Sequence, residues 1–129
     1  MNRILIDTNI YSHALRGFPD VVTKLKSTDE IAICAISIGE LLSGFKGGER
    51  EKENRRELGV FLDSARVRVF TIDDETSEFY AEIVQNLKKE GHPIPTNDIW
   101  IGSVAMQHGL KIYSKDKHFK FIPGLICVE

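Results

Sequence analysis

The 129 residues contain two cysteines and one tryptophan, and no apolar run approaches the ~20 residues that span a bilayer. A disulfide scaffold is excluded on count alone. Cys34 and Cys127 lie in "IAICAI" and "GLICVE", with no CxxC spacing and no paired histidine, so both read as small buried hydrophobes. The four histidines, His13, His92, His108 and His118, show no i, i+4 pairing on a helix, which argues against zinc. A net charge of −2 gives no global pull toward nucleic acid, so a polyanion would have to be held locally. "MNRILIDTN" lacks the apolar core of a signal peptide. The expectation is a soluble, cytoplasmic protein making no use of a membrane.

What remains is ordinary globular material, 42% hydrophobic and 28% charged, enough for one domain over residues 1–129. Short apolar runs at 3–7, 30–35, 66–72, 110–114 and 125–129 read as strands. Between them lie helical segments. Tyr11, Ala14 and Leu15 recur at helical spacing ahead of Gly17; Asp20 is placed to cap a helix carrying Val21, Val22 and Leu25. Residues 49–66 form a charge-rich amphipathic segment with Leu58, Phe61, Leu62 and Ala65 on one side. "DDETSEFYAEIVQNLKKEG" has acids in its first turn, lysines in its last, and Gly91 as a stop. Strands alternating with helices imply parallel βαβ units, hence a three-layer α/β/α fold around a five-stranded parallel sheet.

"PTNDIWIGSVAMQHG" is unusual in carrying no charge from Ile99 to Met106 while Asp98 stands at its mouth. A helix packed on several sides needs no solvated stripe, and Gly102, Ser103 and Ala105 allow close approach. Ligands of open α/β sheets bind at the carboxyl ends of the strands. Asp7 follows the first strand, Glu40 lies one turn into the helix after the second, Asp98 opens the apolar helix, and Asp116 follows the fourth strand. Each has a local reading too. Asp7 suits a helix N-cap, Glu40 has capping-box spacing from Ser37, Asp98 suits a helix dipole beside the caps Thr96 and Asn97, and Asp116 suits a turn. As a set they would not tolerate emptiness. At about 6 Å each ionised pair repels by about 3 kcal/mol at an effective dielectric near 20, and six pairs come to about 17 kcal/mol. A typical domain is stable by only ~5–15 kcal/mol. Protonation or bound cations must intervene, and all-oxygen ligands suit Mg²⁺ or Mn²⁺.

Four stretches carry a family resemblance: "LIDTNI", "SIGELL", "NDIWIGSVA" and "YSKDKHFKFIPGL", in that order and together spanning nearly the whole chain. The sequence resembles PIN domains, specifically the VapC-type toxin ribonucleases of toxin–antitoxin pairs. The resemblance implies an acidic quartet at Asp7, Glu40, Asp98 and Asp116 holding one or two Mg²⁺ or Mn²⁺ ions, with Thr8, Asn9, Asn97 and Ser114 as supporting polar groups. It also implies endonucleolytic cutting of RNA, tRNA or ribosomal RNA, to leave 5′-phosphate and 3′-hydroxyl ends. A cognate antitoxin as inhibitor and a homodimer follow by the same route.

Lys111, Lys115, Lys117 and Lys120 surround Asp116, and Lys115 and Lys117 are the candidates for phosphate contact; Phe119 and Phe121 among them are expected in the core. Arg50, Lys52, Arg55 and Arg56 alternate with glutamates and read as a solvated helix face. Three alternatives stand beside the nuclease. A phosphoacceptor receiver module would use Asp73 or Asp74 after the third strand, but the acidic pair it needs after the first strand is missing, since Thr8 and Asn9 follow Asp7. A non-catalytic RNA-binding PIN domain would not need the intact acidic set. A haloacid dehalogenase-type hydrolase wants a second Asp at position 9, where Asn stands.

Overall fold

A computed structural model describes residues 2–129. In chain order the elements are β1 (Arg3–Ile6), α1 (Thr8–Leu15), α2 (Pro19–Lys26), β2 (Glu30–Cys34), α3 (Ala35–Lys46), α4 (Glu51–Leu62), β3 (Val67–Phe70), α5 (Asp74–Glu90), α6 (Thr96–His108), β4 (Lys111–Tyr113), a 3-10 turn (Lys117–Phe121) and β5 (Cys127–Val128). The five strands are all parallel, in the order β3-β2-β1-β4-β5.

Alternation along each strand divides the core in two. Ile4, Ile6, Ile31, Ile33 and Tyr113 point to one face, where Ile10, Tyr11, Val21, Leu25, Leu41 and Leu58 from α1 to α4 cover them. Their neighbours Leu5, Ala32, Cys34 and Ile112 point the other way, onto Ile83 and Leu87 of α5 and Ile99, Ile101 and Val104 of α6. The period of two in a strand therefore produces the three layers. At the sheet edge β3 is only partly covered, with Val69 exposed, which accounts for its mixed sequence.

The charge-free helix is buried from Ile101 through Ala105. Trp100 stacks on Tyr80 of α5 at 3.9 Å, and a Cβ at Gly102 would lie 2.6 Å from Ile122 Cδ1, so any larger residue here would force the Ile122 side chain to shift. Each apolar side chain buried here contributes about 1.5–3 kcal/mol. The helix start that carries Asp98 is thereby fixed in space.

Three local expectations give way. The amphipathic segment ends at Leu62 with Asp63 as its cap, and Ala65 is exposed outside the helix. Asp20 lies in the first turn of α2 rather than at its cap, which is Phe18 with no side-chain bond. Ser37 and Glu40 form no capping box: α3 is capped at Cys34, three residues before Ser37, and the Ser37 hydroxyl is buried without a partner among the described residues. A helix that starts directly from a strand leaves no room for the box.

Candidate metal centre

Strand order reverses between β1 and β4, so the ends of these two strands flank the crevice in which open α/β sheets bind ligands. Asp7 follows β1 and caps α1, accepting from the Ile10 N–H at 2.9 Å through Oδ1. Its second oxygen accepts from Ser114 Oγ, one residue past β4, at 2.5 Å. The same Ser114 oxygen accepts the Asp116 N–H at 2.9 Å. One hydroxyl thus joins the first and fourth acids. The local reading of Asp7 as a cap and the long-range reading describe two oxygens of one carboxylate.

Glu40 sits in the middle of α3 and bridges the remaining segments. Oε1 accepts from Thr8 Oγ1 at 2.6 Å, beside Asp7, and Oε2 accepts from the Asn97 amide at 3.3 Å, beside Asp98. Asn97 consequently does not cap α6; Pro95 occupies that position, with no side-chain bond. Asn9 is exposed and makes no side-chain hydrogen bond among the described residues, so Thr8, Asn97 and Ser114 join the network and Asn9 does not.

His118, expected only on a phosphate-contacting rim beside the site, instead stands among the acids themselves. Its Nδ1 lies 3.1 Å from Asp98 Oδ2 and 3.0 Å from Asp116 Oδ1. The 3-10 turn puts it there: Asp116 caps the turn by accepting the His118 N–H at 2.9 Å. A search for helical i, i+4 pairs passes over this Asp-x-His spacing, which was the available signal.

The electrostatics are those of acids crowded and partly withdrawn from water. Burial raises the Asp7 carboxyl above the usual aspartate range; the Ser114 and Ile10 bonds oppose the rise, and the nearby Asp116 charge adds to it. Burial raises Asp98 as well, opposed by the His118 bond and reinforced by Asp116 and Glu40. Asp98, Asp116 and His118 each offer a ligand atom, all within 4.8 Å of one another. The two carboxylates suit a hard divalent cation, and the imidazole adds a donor that transition ions take more readily than Mg²⁺ does.

Beside Asp116 opens a cleft of about 270 Å³, lined by Asp20, Ser114, Lys115, Lys117, Lys120 and Glu129 among others. Lys115 is ion-paired with Asp20, and Lys120 with Glu129 at 2.8 Å. Lys117 is exposed and has no ion pair among the described residues. Phe119 is core, as expected, but Phe121 is 41% exposed and stacks on His92 at 4.2 Å instead. Asp73, the receiver-type candidate, caps α5 through Thr76 and accepts from Gln107, beyond an edge strand.

The family model described as "PIN domain" matches residues 4–125. The chain belongs to the PIN domain family. Ribonuclease VapC4 of Mycobacterium tuberculosis is 27% identical over 127 residues, covering 97% of this chain and 95% of its own. Toxin FitB of Neisseria gonorrhoeae is 30% identical over 121 residues, with 88% and 87% covered. Among solved structures, VapBC2 from Rickettsia felis bound to a promoter DNA fragment matches with a TM-score of 0.87 at 27% identity, covering 98% of this chain and 97% of that one. The PIN fold thus accounts for nearly the whole chain, including all four acids.

Proposed function

We propose that the chain, acting as one domain, is a VapC-type endoribonuclease toxin whose centre is Asp7, Glu40, Asp98 and Asp116 with one or two Mg²⁺ or Mn²⁺ ions. The observation that carries the reading is the convergence of acids from four separate chain segments, joined by Thr8, Asn97 and Ser114 at the strand switch point. Bound divalent metal would supply Lewis-acid charge toward a phosphodiester and acidify water. The chain's own part is orientation. Asp7 has both oxygens engaged and cannot rotate. Glu40 is held from both sides, and Asp98 stands on a helix packed too tightly to move. A carboxylate of the set takes the proton of the attacking water. Attack in line on phosphorus then displaces the 3′ oxygen, which takes a proton from solvent, leaving 5′-phosphate and 3′-hydroxyl ends.

The relatives named as ribonuclease and toxin, and the VapBC complex, support RNA as substrate and a cognate antitoxin as inhibitor. An arginine from that partner would pair with carboxylates here and compete with metal. A homodimer, action in the cytoplasm, and tRNA or ribosomal RNA as target complete the reading. Lys117 is the better placed of the two candidate phosphate contacts, since Asp20 already holds Lys115. Among the described residues no helix is long and apolar enough to cross a membrane.

Digestion of RNA by the purified protein with Mg²⁺, with Mn²⁺ and with chelator tests the proposal, the ends being mapped by sequencing. Metal-dependent internal cuts with 5′-phosphates are expected. Cutting that persists undiminished in chelator would overturn it.

A further inference from the structure

We propose that His118 is a nitrogen ligand of the metal centre, sharing one ion with Asp98 and Asp116, and that it tilts the centre toward Mn²⁺ over Mg²⁺. The inference rests on the metal-nuclease reading and adds to its acidic set a donor of different chemistry.

His118 Nδ1 has two carboxylate oxygens at hydrogen-bond distance, 3.1 Å to Asp98 and 3.0 Å to Asp116. One ring nitrogen carries at most one proton, so its hydrogen bond goes to Asp98 Oδ2, while Asp116 Oδ1 accepts the His118 backbone N–H and receives no proton from the ring beside it. A cation among the three atoms satisfies all of them. In an octahedral shell with bonds of about 2.1 Å, neighbouring donors lie about 3.0 Å apart, the edge of the octahedron. Both nitrogen–oxygen separations match that edge.

The ring is also held for the purpose. The turn bond from the His118 N–H to Asp116 Oδ1 fixes the backbone beside the carboxylate, and the next residue, Phe119, is anchored in the core at 1% exposure. No other side chain among the described residues hydrogen-bonds the imidazole. The residue is half-buried, and no hydrogen bond to Nε2 competes for its orientation among the described residues. Imidazole nitrogen binds first-row transition ions, Mn²⁺ the weakest among them, more readily than it binds Mg²⁺, which prefers oxygen and water.

Pulsed electron paramagnetic resonance on the Mn²⁺-loaded protein reads the bond directly, through the coupling of a coordinated imidazole ¹⁴N to the metal. The wild type should show it, and His118→Gln should lose it. Calorimetric titrations should show Mn²⁺ affinity falling roughly tenfold to a hundredfold in His118→Gln, with Mg²⁺ affinity changed far less. Thermal melting checks that the variant is folded; should it not be, the presence or absence of imidazole coupling in the wild type still decides. Mn²⁺ bound by oxygen donors alone, with RNA still cut, overturns the assignment of His118 and leaves the nuclease reading standing. Wild type that binds no Mn²⁺ or Mg²⁺ overturns both.

Discussion

Asp7 and Ser114, 107 residues apart, share a buried hydrogen bond where β1 and β4 lie side by side. Because Ser114 also accepts from the Asp116 backbone, its hydroxyl sets the position of two acids at once. Ser114→Ala should therefore lower cleavage by about tenfold to a hundredfold, the range for losing a group that orients a metal ligand. Its cost in stability should be about 1 kcal/mol, that of one buried hydrogen bond. Single-turnover cleavage and denaturant melts measure the two separately. Unchanged cleavage alongside the stability loss would reduce Ser114 to a structural residue.

Asp7 has a second duty as the cap of α1, which makes the choice of substitution decisive. Asparagine caps nearly as well as aspartate, whereas alanine loses about 1 kcal/mol. Asp7→Asn should abolish metal-dependent cutting with little change in melting temperature, and Asp7→Ala should lose activity and stability together. Asp98→Asn should likewise abolish metal-dependent cutting while leaving the chain folded. Purified Asp98→Asn that cuts at the wild-type rate would remove Asp98 from the mechanism.

Much of this site was legible because it follows from alternation. Ile4 and Ile6 against Leu5, and Ile31 and Ile33 against Ala32, give a sheet buried on both faces, and the acids then fall at its carboxyl edge. Short-range rules failed where a distant partner made the better offer. Asn97 suited a cap but donates to Glu40, 57 residues away; Glu40 suited a capping box but accepts from Thr8, 32 residues away. His118 was hidden for a related reason. Its partner Asp98 is brought up by tertiary packing, and only the Asp116 half of the contact has a spacing to read.

The raised carboxyls of Asp7 and Asp98 make a prediction about pH. A carboxyl whose pKa is higher in the folded than in the unfolded state holds its proton better when folded, so stability falls as pH rises from the ordinary aspartate range through the raised value. Other carboxylates on the surface shift the opposite way, so the informative quantity is a difference between proteins. In chelator, Asp98→Asn should melt above the wild type at about pH 7.5, and the gap should shrink toward about pH 4 as Asp98 is protonated. Adding Mn²⁺ at neutral pH should close or reverse the gap by stabilising the wild type selectively. A gap that grows toward acid would contradict the sign.

Gly102 ties the floor of the site to its rim. A methyl group there would meet Ile122 Cδ1 at 2.6 Å, and Ile122 directly follows the turn that carries His118. Overpacking of this kind costs about 1–3 kcal/mol, against about 1 kcal/mol that alanine returns as a helix former. Gly102→Ala should lower the melting temperature slightly and cleavage more, since the turn shifts relative to Asp98. Trimming the neighbour in Gly102→Ala/Ile122→Val should restore part of the activity. Full activity in Gly102→Ala would mean that Ile122 gives way without moving the turn.

Lys115 and Lys117 separate a positional from an electrostatic role. Lys115 is paired with Asp20 and so links α2 to the end of β4, whereas Lys117 faces the cleft beside Asp116 with its charge uncommitted among the described residues. For a single-stranded RNA, removing one phosphate contact should reduce the slope of log affinity against log salt by about 0.7. Lys117→Ala should show that change, measured with the catalytically dead Asp98→Asn background so that the RNA survives. Lys115→Ala should instead leave the slope nearly unaltered, because Asp20 already compensates its charge. Asp20→Asn then becomes the informative partner variant: it frees the Lys115 ammonium, so affinity at low salt should rise and the slope steepen. Equal slopes in all of these proteins would place the RNA backbone elsewhere on the molecule.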